Sequence, residues 1–184
     1  FEVIFTDLYA VKGLQVGLGV LMVWVAFLLG RRLADERTGL VAAWVVAVHP
    51  TLAWYAGTLW SEALYATLLL AGVLALLWSR EGSAWRALVP GILVGVCVLF
   101  RGVATYMAPF FALAAVWPGP DGAWLAAVRA RWKHAVVVVV AAVVVVAPWS
   151  LYASSKHGGF MVSDATLGQM MYLGNNDFAP VTFD

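Results

Sequence analysis

Apolar runs of near-membrane length alternate along the chain with short charged clusters. Leu14 to Gly30 is the first full run, seventeen residues, or about 26 Å of helix at ~1.5 Å per residue. Arg31-Arg32 closes it, with Asp35, Glu36 and Arg37 behind. Upstream, Phe1, Ile4, Phe5, Leu8 and Val11 recur near helical spacing, which fits either a short interfacial helix or the frayed start of that span. Gly39 to Thr58 and Ala63 to Trp78 are the second and third runs, meeting at Ser61-Glu62. His49-Pro50 interrupts the second, and the donor missing at Pro50 predicts a kink or an early helix end there.

Beyond Arg80, Glu81 and Arg86 come two short runs, Ala87 to Phe100 and Gly102 to Trp117, with Arg101 between them. They form either one long helix charged at its centre or a tight hairpin turning at Arg101. Loop charge decides. In the hairpin, Arg31, Arg32, Arg37, Arg80, Arg86, Arg129, Arg131 and Lys133 share one side of the membrane, leaving Lys12, Arg101 and Lys156 on the other. In the single helix that bias nearly disappears, so the positive-inside rule selects the hairpin.

Trp117 to His134 reads as a polar connection opened by the breaker cluster Pro118-Gly119-Pro120-Asp121-Gly122. Ala135 to Ala153 is the last span. Its valines show no period-two alternation, and a lone segment in lipid must satisfy its own backbone, which makes it a helix ending near Pro148-Trp149. The expected fold is therefore all-α, a polytopic transmembrane bundle of about six spans over 1–153, with 154–184 opening an external polar loop or domain. A short surface helix is expected over 163–174, capped by Ser163 or Asp164 and closed by Gly174. Gly91-x-x-x-Gly95 and Gly13-x-x-x-Gly17 permit close helix packing.

Composition agrees: 64% of the 184 residues are hydrophobic, 11% are charged, and mean hydropathy is +0.90, against roughly 25% charge in a soluble domain. Eleven basic residues scattered over short loops form no patch for nucleic acid. Cys97, alone within an apolar run, supplies no disulfide framework. The chain starts without Met and stops within a polar loop, as expected of an internal piece of a longer membrane protein.

No nucleophile elbow, phosphate loop or metal-spaced cluster is present. The candidate chemistry rests on polar residues assigned to the outer face: His49, Glu62, Arg101, Lys156, His157, Asp164, Asn175, Asn176 and Asp177. Glu62 serves either as a helix N-terminal charge beside the cap Ser61 or as a functional acid, since a carboxylate in hydrocarbon costs ~2.5–3.5 kcal/mol. Arg101 is either a snorkelling anchor or a contact for lipid phosphate. His49 reads as a buried polar group bonded within its kink, Lys156 and His157 as loop residues at the membrane surface, and Asn175-Asn176 as a turn.

In order, these residues resemble a known family. Arg31-Arg32, Gly39-Leu40-Val41-Ala42-Ala43, His49-Pro50, Tyr55 and Leu59-x-Ser61-Glu62-Ala63-Leu64 look like the third and fourth helices of GT-C glycosyltransferases of the protein-mannosyltransferase and aminoarabinose-transferase type. Gly91 to Arg101 is similar to the next helix, with Gly102 where the family usually has Pro. Ala147-Pro148-Trp149-Ser150, Gly159-Phe160-x-Val162-Ser163 and Leu173-Gly174-Asn175-Asn176 resemble the passage into the family's large external loop. Tyr152-Ala153 stands where the family often has Arg-Asn, leaving Lys156 as the substitute cation.

The resemblance implies transfer of a sugar from a polyprenyl-phosphate donor to an acceptor whose identity the residues leave open. It places the protein in a plasma membrane, the bacterial inner membrane, with its active face periplasmic or external. It implies a catalytic Asp upstream of Phe1, with Glu62 as a supporting acid, and Arg101, Lys156, His157, His49, Asn175 and Asn176 on the substrate side. A divalent metal ion is a candidate cofactor, with no ligand set assigned. Glu62 and Arg101 are expected to line one cavity about 8–15 Å apart, with room for a sugar phosphate. The competing reading is a non-enzymatic membrane module such as a transporter half or assembly subunit. That module would gather polar groups at the bilayer midplane and repeat its halves.

Overall fold

The computed structural model describes residues 8–57, 61–119 and 122–163. Seven α-helices account for most of them: α1 (Leu8–Leu33), α2 (Glu36–Val48), α3 (Pro50–Gly57), α4 (Glu62–Ser79), α5 (Leu88–Phe100), α6 (Met107–Val116) and α7 (Trp124–His157). Short 3-10 turns, Ala84–Ala87 and Gly102–Tyr106, lead into α5 and α6. No strand occurs among the described residues. α1, α4 and α7 are each long and apolar enough to cross a membrane; the stretches through α5 and α6 are shorter and equally apolar. With α2 and α3 taken as one broken segment, the six expected helical segments are all present.

Local sequence explains the breaks. His49 leaves the helix with ψ 115, and its Nδ1 accepts a bond from the Leu52 amide at 3.4 Å, restarting the chain as α3 at Pro50. Arg101 is extended (φ −147, ψ 120), so α5 ends there and the chain turns. That elbow is tied at both sides: the Arg101 amide donates to the Cys97 carbonyl, and the Ala104 amide donates to Arg101's, each at 2.9 Å.

Contacts at the other end show that α5 and α6 form a hairpin. Arg80, just past α4, donates to the Trp117 carbonyl oxygen at 2.5 Å, and Arg131 of α7 donates to the same oxygen at 3.2 Å. Arg32 pairs with Glu81 at 2.6 Å, and buried His134 donates from Nε2 to the Gly82 carbonyl at 3.1 Å. The C-terminal ends of α1, α4 and α6 thus meet the N-terminal ends of α5 and α7. A single helix through Arg101 would carry Arg131 to the far end from Arg80. Exposed Trp78, Trp85, Trp117, Trp124 and Trp132 ring this basic end, the placement favoured at a membrane interface.

Three expectations are corrected. The polar connection over 117–134 becomes helical from Trp124, because Leu, Ala, Arg and Lys are good helix formers once the Pro-Gly cluster is passed. Pro148 does not end the last span; α7 runs through it to His157, where Gly158 (φ +69) caps it in the left-handed conformation. Ser61 makes no side-chain cap bond. The stretch Leu8 to Gly13 is continuous with α1, which fits the frayed-start reading. The proposed helix over 163–174 lies outside the described residues apart from Ser163.

Close packing through small residues holds the bundle, since lipid supplies no hydrophobic drive between spans. A Cβ on Gly91 would sit 2.5 Å from the Val138 carbonyl oxygen, and one on Gly95 would sit 2.8 Å from the Val145 Cβ. The backbones of α5 and α7 therefore nearly touch. Val138, Ala141 and Ala142 face this seam while Val140, Val143 and Val144 point outward, which divides the valine run between protein and lipid. Gly30 and Gly39 make a second close crossing, between α1 and α2. Gly13 and Gly17 meet nothing within 4 Å.

Candidate functional site

Glu62 opens α4 and Arg101 closes α5, so antiparallel packing of these helices carries both side chains to the end opposite the basic loops. There they form an ion pair: Arg101 Nη1 donates to Glu62 Oε1 at 2.7 Å. The two residues share one end as expected, but they touch instead of standing about 8–15 Å apart, and neither lines the neighbouring groove. The residues touch because the elbow at Arg101 swings its backbone out of the helix and lets the guanidinium reach across. Side-chain exposure is 42% for Arg101 and 20% for Glu62. So open a pair contributes at most ~1 kcal/mol to stability; its larger effect is to fix the orientation of a guanidinium with unused donors.

The floor beneath the pair is apolar. Cys97, Val98, Ala104 and Val146 form a buried cluster that Tyr65, Leu68, Leu69 and Val162 pack against. Val162 arrives from the segment after α7, which folds back over this end. Ser150 Oγ bonds the Met161 carbonyl, Ser154 Oγ accepts from the Met161 amide at 2.9 Å, and Trp149 Nε1 donates to the Ser163 carbonyl at 2.6 Å. The motifs around Pro148-Trp149-Ser150 and Gly159-Phe160 are therefore two sides of one tied turn. Beside the elbow, an apolar groove of about 420 Å³ runs between Val98, Thr105 and Ala108 on one wall and Val146, Ser150 and Val162 on the other.

The remaining candidates are scattered. Lys156 is exposed near the end of α7, its ammonium 6.0 Å from the Tyr152 ring centre. His157 is the last residue of α7. His49 is bonded within its kink as expected, but it is exposed rather than buried, because α2 and α3 present that corner outward. Asp164, Asn175, Asn176 and Asp177 lie outside the described residues. No group of three His, Cys, Asp or Glu side chains gathers among the described residues, so they supply no ligand set for a metal.

Sequence reasoning missed the serine ties. Ser150 and Ser154 are spaced i, i+4 on α7, a same-face signal that would have suggested a partner. It also missed the electrostatics of the basic end. Burial, followed by the neighbouring Arg131 charge, lowers the pKa of Arg80 from the usual guanidinium value. The Thr38 hydroxyl and then the Thr38 amide, both bonded to the Asp35 carboxylate at 2.7 Å, hold that acid below its ordinary value.

The described residues thus form a helical membrane bundle with an acid–guanidinium pair at a helix break, away from its basic loops. Residues 4–152 match the sequence model of the dolichyl-phosphate-mannose-protein mannosyltransferase family. The chain belongs to that family, of GT-C type. Comparison with curated proteins and with solved structures finds no match.

Proposed function

We propose that this chain forms the donor-phosphate end of an enzyme that transfers a sugar from a polyprenyl phosphate to an acceptor at the external, periplasmic face of a bacterial inner membrane. The observation that carries this reading is the Glu62–Arg101 pair, set beside an apolar groove. In the transfer, an acceptor oxygen bonds to the anomeric carbon, the bond from that carbon to the phosphate oxygen breaks, and the acceptor's proton passes to a base. Negative charge grows on the departing lipid phosphate. A fixed guanidinium placed there stabilises the transition state more than the ground state.

Arg101 takes the phosphate role and Glu62 positions it. The groove by Val98 and Thr105 receives the first apolar units of the lipid, and Lys156 serves as a second cation at the same end. His49, His157, Asn175 and Asn176 are assigned to the acceptor or sugar side, and the base to an aspartate upstream of Phe1, as the family resemblance implies.

The test is kinetic, on the full-length enzyme. Arg101→Ala is expected to lower kcat/KM for the lipid donor on the order of 10–100-fold, the value of a charge-assisted hydrogen bond, at near-normal protein level. Arg129→Gln, an exposed cation at the basic end, should stay within about twofold. Unchanged donor kinetics in Arg101→Ala would refute the assignment.

A further inference from the structure

A second lipid-shaped feature lies at the opposite end, unrelated to the pair. Between α1, α4 and α5 runs a groove of about 570 Å³, within the ~300–1,000 Å³ usual for ligand clefts. Leu28 of α1, Ala71, Leu74 and Ala75 of α4, and Leu93 of α5 make it apolar. Its mouth is cationic: Arg31 and Arg32 line it directly, and Arg86 lies over the ring of Trp78, another lining residue, at 4.7 Å. Among the described residues the acid paired at this mouth is Glu81, bound to Arg32 at 2.6 Å. Arg31, stacked 5.5 Å above Phe27, and Arg86 are both held in place by aromatic rings, with no carboxylate paired to them among the described residues.

We infer that this groove binds one anionic glycerophospholipid, its acyl chain along Ala71, Ala75 and Leu93 and its headgroup phosphate between Arg31 and Arg86. Charge complementarity names the occupant. Two oriented guanidiniums at the rim of an apolar cleft match a phosphodiester on a hydrocarbon chain, and basic pockets between helices on the positive side of a membrane protein hold anionic headgroups in general. A zwitterionic lipid carries its own cation to the same rim and loses that advantage. Small residues at Ala71 and Ala75 leave the floor low enough for a chain to lie against α4.

The test is native mass spectrometry of the full-length protein in detergent, titrated with phosphatidylglycerol or phosphatidylcholine. One phosphatidylglycerol is expected to bind at least tenfold more tightly than phosphatidylcholine. Ala75→Phe fills the groove and keeps every charge. Arg31→Gln with Arg86→Gln keeps the groove and removes the headgroup contacts. Each should abolish that preference or reduce it on the order of fivefold per arginine, while Arg129→Gln with Lys133→Gln, the same charge change away from the groove, should not. Equal binding of the two lipids would overturn the inference, as would equal loss in the control pair or a second protein copy in place of lipid. The surface arginine variants keep the test decisive if Ala75→Phe fails to fold.

Discussion

At the basic end, two arginines converge on a single backbone oxygen, a third pairs with an exposed glutamate, and five tryptophans surround them. At the elbow end one arginine meets one glutamate across a helix break, and serines rather than charges tie down the neighbouring chain. The first arrangement satisfies one carbonyl at the end of α6 and marks an interface, and many residues share the task. The second places a single guanidinium in a single orientation. Charge number is thus a guide to topology, and charge isolation a guide to chemistry.

Perturbing the seam between the two ends should have the largest effect, because α5 and α7 connect them. Gly95→Leu puts a side chain where the Val145 Cβ and the Ala142 carbonyl would crowd even a single added Cβ, at 2.8 and 3.0 Å. Overpacking there is expected to cost ~2–3 kcal/mol, seen as a lowered thermal midpoint in detergent with both ends loosened together. Gly13→Leu, at a site with nothing within 4 Å, should leave the midpoint nearly unchanged. If the two variants behave alike, the seam does not couple the ends.

A smaller change should separate them. Ser154→Ala removes the hydroxyl that accepts from the Met161 amide, a loss of ~1 kcal/mol. Hydrogen exchange is expected to rise over 158–163 while the Arg80–Arg131 end keeps its protection. Uniform loss of protection would erase the distinction between a locally tied turn and the rest of the bundle.

Smallest is a pH effect confined to the basic end. The Asp35 carboxyl is held below its ordinary value of 3.8 by the Thr38 hydroxyl and amide, so it titrates lower in the folded chain than in the unfolded one. Its contribution is complete above the unfolded value and is lost as pH falls through the folded one. The protection factor at the Thr38 amide should therefore drop below about pH 3.8, and Asp35→Ser, which keeps a cap without the acid, should flatten that dependence. A drop that persists in the serine variant would remove Asp35 as its cause.

Much of this was readable in the chain because membranes restrict what a segment can do. Arg101 between two short runs, weighed by loop charge, placed the hairpin, and Pro50 placed the α2–α3 break. The Gly91–Gly95 spacing foretold a close seam, though nothing in it named α7 as the partner. The Glu62–Arg101 contact was legible only as a shared face. Its distance depends on how an extended residue aims a long side chain over 39 positions of sequence, a tertiary matter. Polar residues misled where helix propensity outweighed them, as from Trp124 to His134, and where a good capping residue type sits with helical backbone angles and makes no cap bond, as at Ser61. The serine ties of the returning turn needed the fold to bring Met161 within reach.

A double-mutant cycle on donor kinetics separates a positioning Glu62 from an independent one. Full-length enzyme, Glu62→Gln, Arg101→Gln and the double variant would be compared for kcat/KM with the lipid-linked sugar. If Glu62 acts by orienting Arg101, Glu62→Gln lowers kcat/KM in the parent but changes it less than about twofold once Arg101 is gone, so the two losses do not add. Full additivity, with Glu62→Gln equally damaging in the Arg101→Gln background, would make the two residues independent contributors and rule out a positioning role for Glu62.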